Sequence, residues 1–334
     1  MKKLITLFGV FTALSIVAPA AAAVRSLDVS DSRQDQCSSE AKAALYDSFI
    51  KHRKADQSKA YDAAKKYLAC PAGEVTEAQQ QIIDYLKKYS SAYESGVRRG
   101  LLELIYNEQK YAEAYQLAKD VLAKEPDNLK LLVHLGVNGY LLGPLNNQAL
   151  NAQALDYARR ALQLLESGQT LEDWEPLPGR EVAIAYLDYT IGTLTLQTEP
   201  KTALPYLIKS AQSETPLKKS PYTYAYIAGA YETGDYATLS DEYKRDFAGK
   251  EETPESKLAL ANIYEITDRM IDGYARAVAL AGNDPKFASV KSTWSESLAT
   301  WYKFRNGSDA GMSELVANIL TKPLPPLPVR RTSL

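Results

Sequence analysis

Two stretches of this chain, 101–126 and 260–285, spell the same residue grammar at the same intervals, and an internal recurrence constrains a fold more than composition does. In the first, Leu101, Ile105, Tyr111, Ala114, Ala118, Val121 and Pro126 trace an apolar face that ends near Asn107, turns, and resumes until Lys124. Glu125-Pro126-Asp127-Asn128 then stops it. In the second, Leu260, Ala261, Tyr264, Gly273, Ala277, Leu280 and Pro285 repeat the pattern, closed by Asp284-Pro285. Ala114 to Pro126 and Gly273 to Pro285 are both intervals of 12, and Leu101 to Pro126 and Leu260 to Pro285 are both intervals of 25. The spacing predicts a helix, a turn and a second helix in each stretch.

The rest of the 334 residues agrees with an all-α chain. Only 17 Gly and 16 Pro interrupt long runs rich in Ala, Leu, Lys, Glu and Gln, and no run alternates in the strand period of two for any length. Lys and Arg number 39 against 41 Asp and Glu, a net charge of −2, so no basic field exists to hold a phosphate backbone and nucleic acid is excluded as an expected partner.

Residues 1–23 read as a secretory leader: Lys2 and Lys3 are the basic start, Leu4 to Val17 the apolar stretch, and Ala18-Pro19-Ala20-Ala21-Ala22-Ala23 the small-residue cleavage region. The apolar stretch is shorter than the ~20 residues of a bilayer span, and nothing later is apolar for long enough to cross a membrane. The mature chain is expected in the periplasm, or secreted beyond it, beginning near Val24 with a flexible linker over 24–36. An exported protein meets an oxidising compartment, and two cysteines are present, Cys37 and Cys70. Cys37 precedes a helical stretch, Ser38 to His52, and Cys70 follows the next, Gln57 to Ala69. Opposite positions of an antiparallel hairpin have a constant sum, and 37 + 70 centres on residues 53 and 54, inside the expected turn Arg53-Lys54-Ala55-Asp56. That register pairs the two cysteines as a disulfide; two separate buried thiols are the alternative.

Small residues at the helix crossing, an aromatic near the end of the first helix and a closing proline give the repeat units a pattern that resembles the 34-residue tetratricopeptide repeat. The units cover about 95–128 and 254–287. They depart from that pattern at Arg98, Leu102 and Lys257. Degenerate copies run through Leu132, Leu135 and Gly136 with Ala154 to Ala161, Val182 to Leu196 with Thr202 to Ala211, and Tyr224 to Tyr231 with the helix after Gly234-Asp235-Tyr236. The resemblance implies a right-handed superhelix of stacked antiparallel pairs, about 14 or 15 helices in all. The array would occupy 95–321, after a stapled hairpin and one extra helix, Glu77 to Tyr93, over 37–94. Trp294, Trp301 and Phe304 would cap its end, and the proline-rich 322–334 would form an extended tail. The resemblance also places the second, fifth, ninth and twelfth residues of each first helix in a concave groove. Counted along this chain, these candidates are Arg99, Glu103, Tyr106, Tyr140, Tyr186, Tyr189, Tyr222, Asn262 and Glu265.

No residue pattern carries catalysis. His52 and His134 are the only histidines, which excludes paired-histidine metal motifs, and there is no phosphate-binding glycine loop and no Cys-x-x-Cys. No cofactor and no metal are expected. Tyrosine stands out, 23 against 6 Phe, and suits binding surfaces as well as wet helical interiors. The expectation is a non-catalytic scaffold that holds a protein or peptide in its groove. The alternative is an accessory subunit of an envelope enzyme or a polysaccharide export system whose groove contacts a glycan.

Overall fold

The computed structural model describes residues 37–71, 75–145 and 148–333, so the expected leader and linker lie outside the described residues. All regular structure within them is helical. The chain divides into two compact units, one ending at Gly96 and one beginning at Val97.

In the first unit, α1 (Ser39–His52) and α2 (Gln57–Leu68) form a hairpin beside the beginning of α3 (Glu77–Leu102). Side-chain oxygens start the two hairpin helices: Ser38 accepts from the amide of Ala41 at 3.1 Å, and Asp56 from that of Lys59 at 3.1 Å. Phe49 is buried against Ala60, Ala63 and Ala64, and its ring meets that of Tyr89 edge to face at 4.8 Å. The Cys37–Cys70 disulfide closes the open end of the hairpin with its Cα atoms 5.4 Å apart, as the constant sum predicts.

The second unit continues α3 through a π-helical turn, Glu103–Asn107, into α4 (Tyr111–Lys124), α5 (Leu129–Asn138), α6 (Gln148–Glu166), α7 (Arg180–Thr195) and α8 (Pro200–Gln212). The 101–126 pattern is therefore a helix, a turn and a helix, with Gln109 at φ 54° in the turn and Leu101, Ile105, Ala114 and Ala118 buried. From α5 to α8 each helix packs on the next, and α5 also packs on α7, the contact between first helices of successive pairs that stacking requires. Small residues allow the crossings. A Cβ on Gly136 of α5 would stand 2.9 Å from Cα of Ala158 and 2.5 Å from a methyl of Leu187.

Further along, the helices are longer than the repeat pattern predicts. The 254–287 stretch is not a pair but one helix, α11 (Pro254–Ala281), opened by a reciprocal Thr253–Ser256 capping box and closed by Gly282 at φ 50°. Between Tyr264 and Gly273 there is no proline and no capping residue to end it. Gly273 is a contact glycine, as its small-residue position in the pattern leads one to expect: a Cβ there would stand 2.9 Å from both Ala228 Cβ and the Tyr224 carbonyl oxygen of α9 (Pro221–Tyr231). Likewise Gly234-Asp235-Tyr236 makes no turn. It lies in a π-helical segment, Glu232–Tyr236, that carries α9 into α10 (Ala237–Phe247). The segment Glu77 to Tyr93 is not a separate helix either: no proline stands between Glu77 and Leu102, and the helix runs through Gly96 and Gly100. α11 packs on α9 and on α12 (Ala288–Asn306), and α13 (Met312–Asn318) rests on α11. Trp294 is buried and Trp301 packs on Tyr236 at 4.6 Å, while Phe304, partly exposed, meets Trp301 at 6.1 Å and Tyr264 at 5.9 Å.

Beyond Thr321 the chain is extended, as its prolines dictate, and is held against the helices. Arg276 of α11, itself buried and paired with Asp272 at 2.6 Å, donates to the carbonyls of Lys322 at 3.0 Å and Pro323 at 2.8 Å. Leu324 packs on the core of the unit.

Candidate functional site

Three of the expected groove residues, Tyr106, Tyr140 and Tyr186, converge on one cleft of about 300 Å³ in the second unit. Val137, Asn138, Leu177, Pro178, Val182 and Pro216 complete its lining, so none of the side chains around it is charged.

Each tyrosine is set by a local device. Tyr106 projects from the π-helical turn that ends α3. Its hydroxyl lies 3.0 Å from Nδ1 of His134, a fully buried residue of α5. Tyr140 sits in the 3-10 segment Gly139–Leu145 that follows α5. That segment lies flush on its neighbours because residue 139 is glycine: a Cβ there would come within 2.7 Å of Thr190 and 3.0 Å of Ala154. The amide of Tyr140 donates to Thr190 Oγ1 at 3.3 Å, which ties the backbone of this segment to α7. Tyr186 stands on α7, its ring 6.1 Å from that of Tyr140. Pro178 and Pro216 come from the segments before α7 and after α8, and no helical periodicity marks such loop residues in advance.

Burial pushes the phenols of Tyr106 and Tyr140 up to about 12 and raises that of Tyr186 as well. Burial, aided by Lys130, lowers His134 to about 4. At neutral pH the cleft therefore presents uncharged rings and hydroxyls. Such a surface stacks on apolar or pyranose faces and exchanges hydrogen bonds. Among the described residues no group of three or more His, Cys, Asp or Glu is placed to hold a metal ion.

The remaining groove candidates lie elsewhere. Arg99 and Glu103 are exposed outside the cleft, Glu103 accepting a hydrogen bond from Asn107 at 2.7 Å. Tyr189 is not a groove residue: it is buried at 5 % exposure, three places beyond Tyr186 and turned into the core. Its ring nevertheless connects Tyr140, at 5.2 Å, to Tyr226, at 6.2 Å. The series continues from Tyr226 to Tyr222, which meets Trp294 at 5.4 Å and Phe287 at 5.8 Å, so Tyr222 is packed among aromatics. Asn262 and Glu265 hold the extended tail. Asn262 is buried, and its amide accepts from the Arg331 backbone N–H at 2.7 Å and donates to the Arg331 carbonyl at 3.2 Å.

Two buried polar groups adjoin this region without side-chain partners among the described residues. These are Nε2 of His134 and Oδ1 of Asp188, and burial raises the Asp188 carboxyl to about 7.

Compared with known proteins, the chain matches no family model, no curated protein and no solved structure.

Proposed function

We propose that this chain is an exported, non-catalytic tetratricopeptide-like scaffold that receives an extended segment of a protein partner in the Tyr106–Tyr140–Tyr186 cleft. The observation that carries this reading is the cleft itself: three tyrosines from different elements, walled by two prolines and carrying no charge. Tyrosine supplies large contact area for the loss of few rotamers, which makes it an efficient binding residue. The absence of a charged lining favours an apolar or proline-containing segment over an acidic or basic one. A periplasmic location accords with the leader pattern and with the Cys37–Cys70 disulfide.

The test is affinity capture from envelope extracts with the wild-type chain and with Tyr140→Ala. A partner retained by the first and lost by the second supports the reading; equal capture by both removes the cleft from it.

The glycan alternative is favoured by the three tyrosines of the same uncharged cleft, since tyrosine faces also stack on sugar rings. Calorimetric titration with envelope oligosaccharides separates the two. Saturable heat that Tyr140→Ala abolishes would replace the peptide reading with the glycan one.

A further inference from the structure

The extended tail is bound in the manner of a ligand. Leu324, Pro325 and Pro328 are half-buried against the helices, and Arg331, three residues beyond Pro328, is gripped by its backbone; the prolines favour a polyproline II form. A single side-chain amide that both donates to and accepts from one residue's main chain reads an extended backbone without regard to the side chain it carries. Charge then selects. Glu265 of α11 faces the Arg331 guanidinium at 3.4 Å, and Glu242 of α10 faces that of Arg330 at 3.0 Å.

The two ends of the tail are held differently. At the near end, buried Arg276 grips Lys322 and Pro323, and Leu324 packs against the core. Past Pro325 the grip is slight. Leu327 and Val329 are exposed, at 46 % and 83 %, and both arginines of the ion pairs are more than half exposed, where such pairs contribute little. The distal half can therefore leave while the near end stays fixed.

We propose that Asn262, Glu265 and Glu242 form a second binding site, for an extended, proline-rich segment ending in consecutive basic residues on a partner protein. The chain's own 326–331 is its resident, displaceable occupant. The chemistry of the partner segment is that of the resident: a polyproline II approach, a free main chain at the clamp and two cationic side chains. This site is separate from the tyrosine cleft, so its failure leaves the cleft reading untouched.

The test uses a fluorescent synthetic peptide of residues 323–333 and fluorescence anisotropy. It is titrated into the full chain, into a variant ending at Pro325, which keeps the Arg276 and Leu324 contacts, and into that shortened variant carrying Asn262→Ala. An intramolecular occupant reduces apparent affinity by the fraction of time the site is open. The shortened chain is thus expected to bind the peptide at least about tenfold more tightly than the full chain, and Asn262→Ala to abolish that gain. Exchanging both arginines of the peptide for glutamate, which sets like charges against Glu242 and Glu265, should weaken binding as well. Circular dichroism confirms that each variant keeps its helices. Equal affinity for the full and shortened chains, no binding to a folded shortened chain, or binding indifferent to Asn262→Ala would each overturn the proposal.

Discussion

The hydroxyl of Tyr106 lies 3.0 Å from Nδ1 of His134, and the two rings meet edge to face at 5.7 Å. The imidazole is fully buried beneath the tyrosine, so a proton on it has no water to solvate the charge. An unfolded histidine titrates near 6.5 and this one near 4, so as pH falls through that window protons favour the unfolded chain. The neutral ring's contribution is complete above 6.5. From pH 7 to pH 5 its titration should remove about 2 kcal/mol.

Asp188 acts with the opposite sign. Burial raises its carboxyl to about 7 from an ordinary 3.8, so the fold favours the protonated acid and loses stability as pH rises through that interval. From pH 5 to pH 7 the loss is about 2 kcal/mol, close to what His134 gains over the same range. Wild-type stability is expected to be nearly flat between these pH values. In urea titrations, Asp188→Asn should lose stability as pH falls from 7 to 5, and His134→Gln should lose it as pH rises. Variants that both kept the flat profile would show that neither group titrates as its burial requires.

The disulfide joins residues 33 apart in sequence. Restricting a loop of that size in the unfolded chain stabilises the fold by about 4 kcal/mol in the chain-entropy description. Cys37→Ser with Cys70→Ser should lower the unfolding transition of the N-terminal unit and leave that of the unit beginning at Val97 in place. Proteolysis across a temperature series, with the fragments identified by mass, distinguishes the two transitions.

Two helical glycines should respond oppositely to alanine. A methyl at 136 would collide with Ala158 backbone and Leu187, so Gly136→Ala should cost about 1 to 3 kcal/mol. Gly229, within α9, has nothing within 4 Å of its added Cβ, and Gly229→Ala should gain about 0.5 to 1 kcal/mol through helix propensity alone. Thermal denaturation of the two variants gives both signs.

These contrasts also explain what the sequence could express. The cysteine pair was legible because a hairpin's register depends on two adjacent helices and the turn between them. Gly273 was legible as a small residue at a helix crossing, and it does pack on Tyr224 and Ala228. What failed was the turn expected between Tyr264 and Gly273, where α11 runs on unbroken. Gly234 was read as a turn, and a π-helical segment absorbs it without a break. The extended form of the tail follows from its prolines, but its seat does not. Asn262 lies 69 residues from Arg331, and Arg276 lies 46 from Lys322, and no local pattern encodes separations of that size. Of the residues obtained by counting positions along the repeat, Tyr106, Tyr140 and Tyr186 line the cleft and Tyr189 is buried beside it. Three residues of helix leave two side chains roughly 60° apart around the axis, so one can line the cleft wall while the other, at its edge, is enclosed by the core.

That difference between Tyr186 and Tyr189 supplies the most direct separation of binding from folding. Tyr186 is half-buried on the cleft wall, and Tyr189 is almost wholly enclosed between Tyr140 and Tyr226. Removing an enclosed aromatic leaves a cavity, so Tyr189→Ala should cost about 3 to 5 kcal/mol. Removing the wall residue opens the cleft to water and should cost about 1 kcal/mol. If the cleft binds, the ranking reverses for affinity: Tyr186→Ala should weaken a captured partner about tenfold or more, as loss of a central aromatic contact does. Tyr189→Ala, measured at a temperature where it remains folded, should weaken the partner less. Melting curves and equilibrium binding on the same two preparations give all four numbers. A partner indifferent to Tyr186→Ala would place its binding surface away from this wall, whatever the melting curves show.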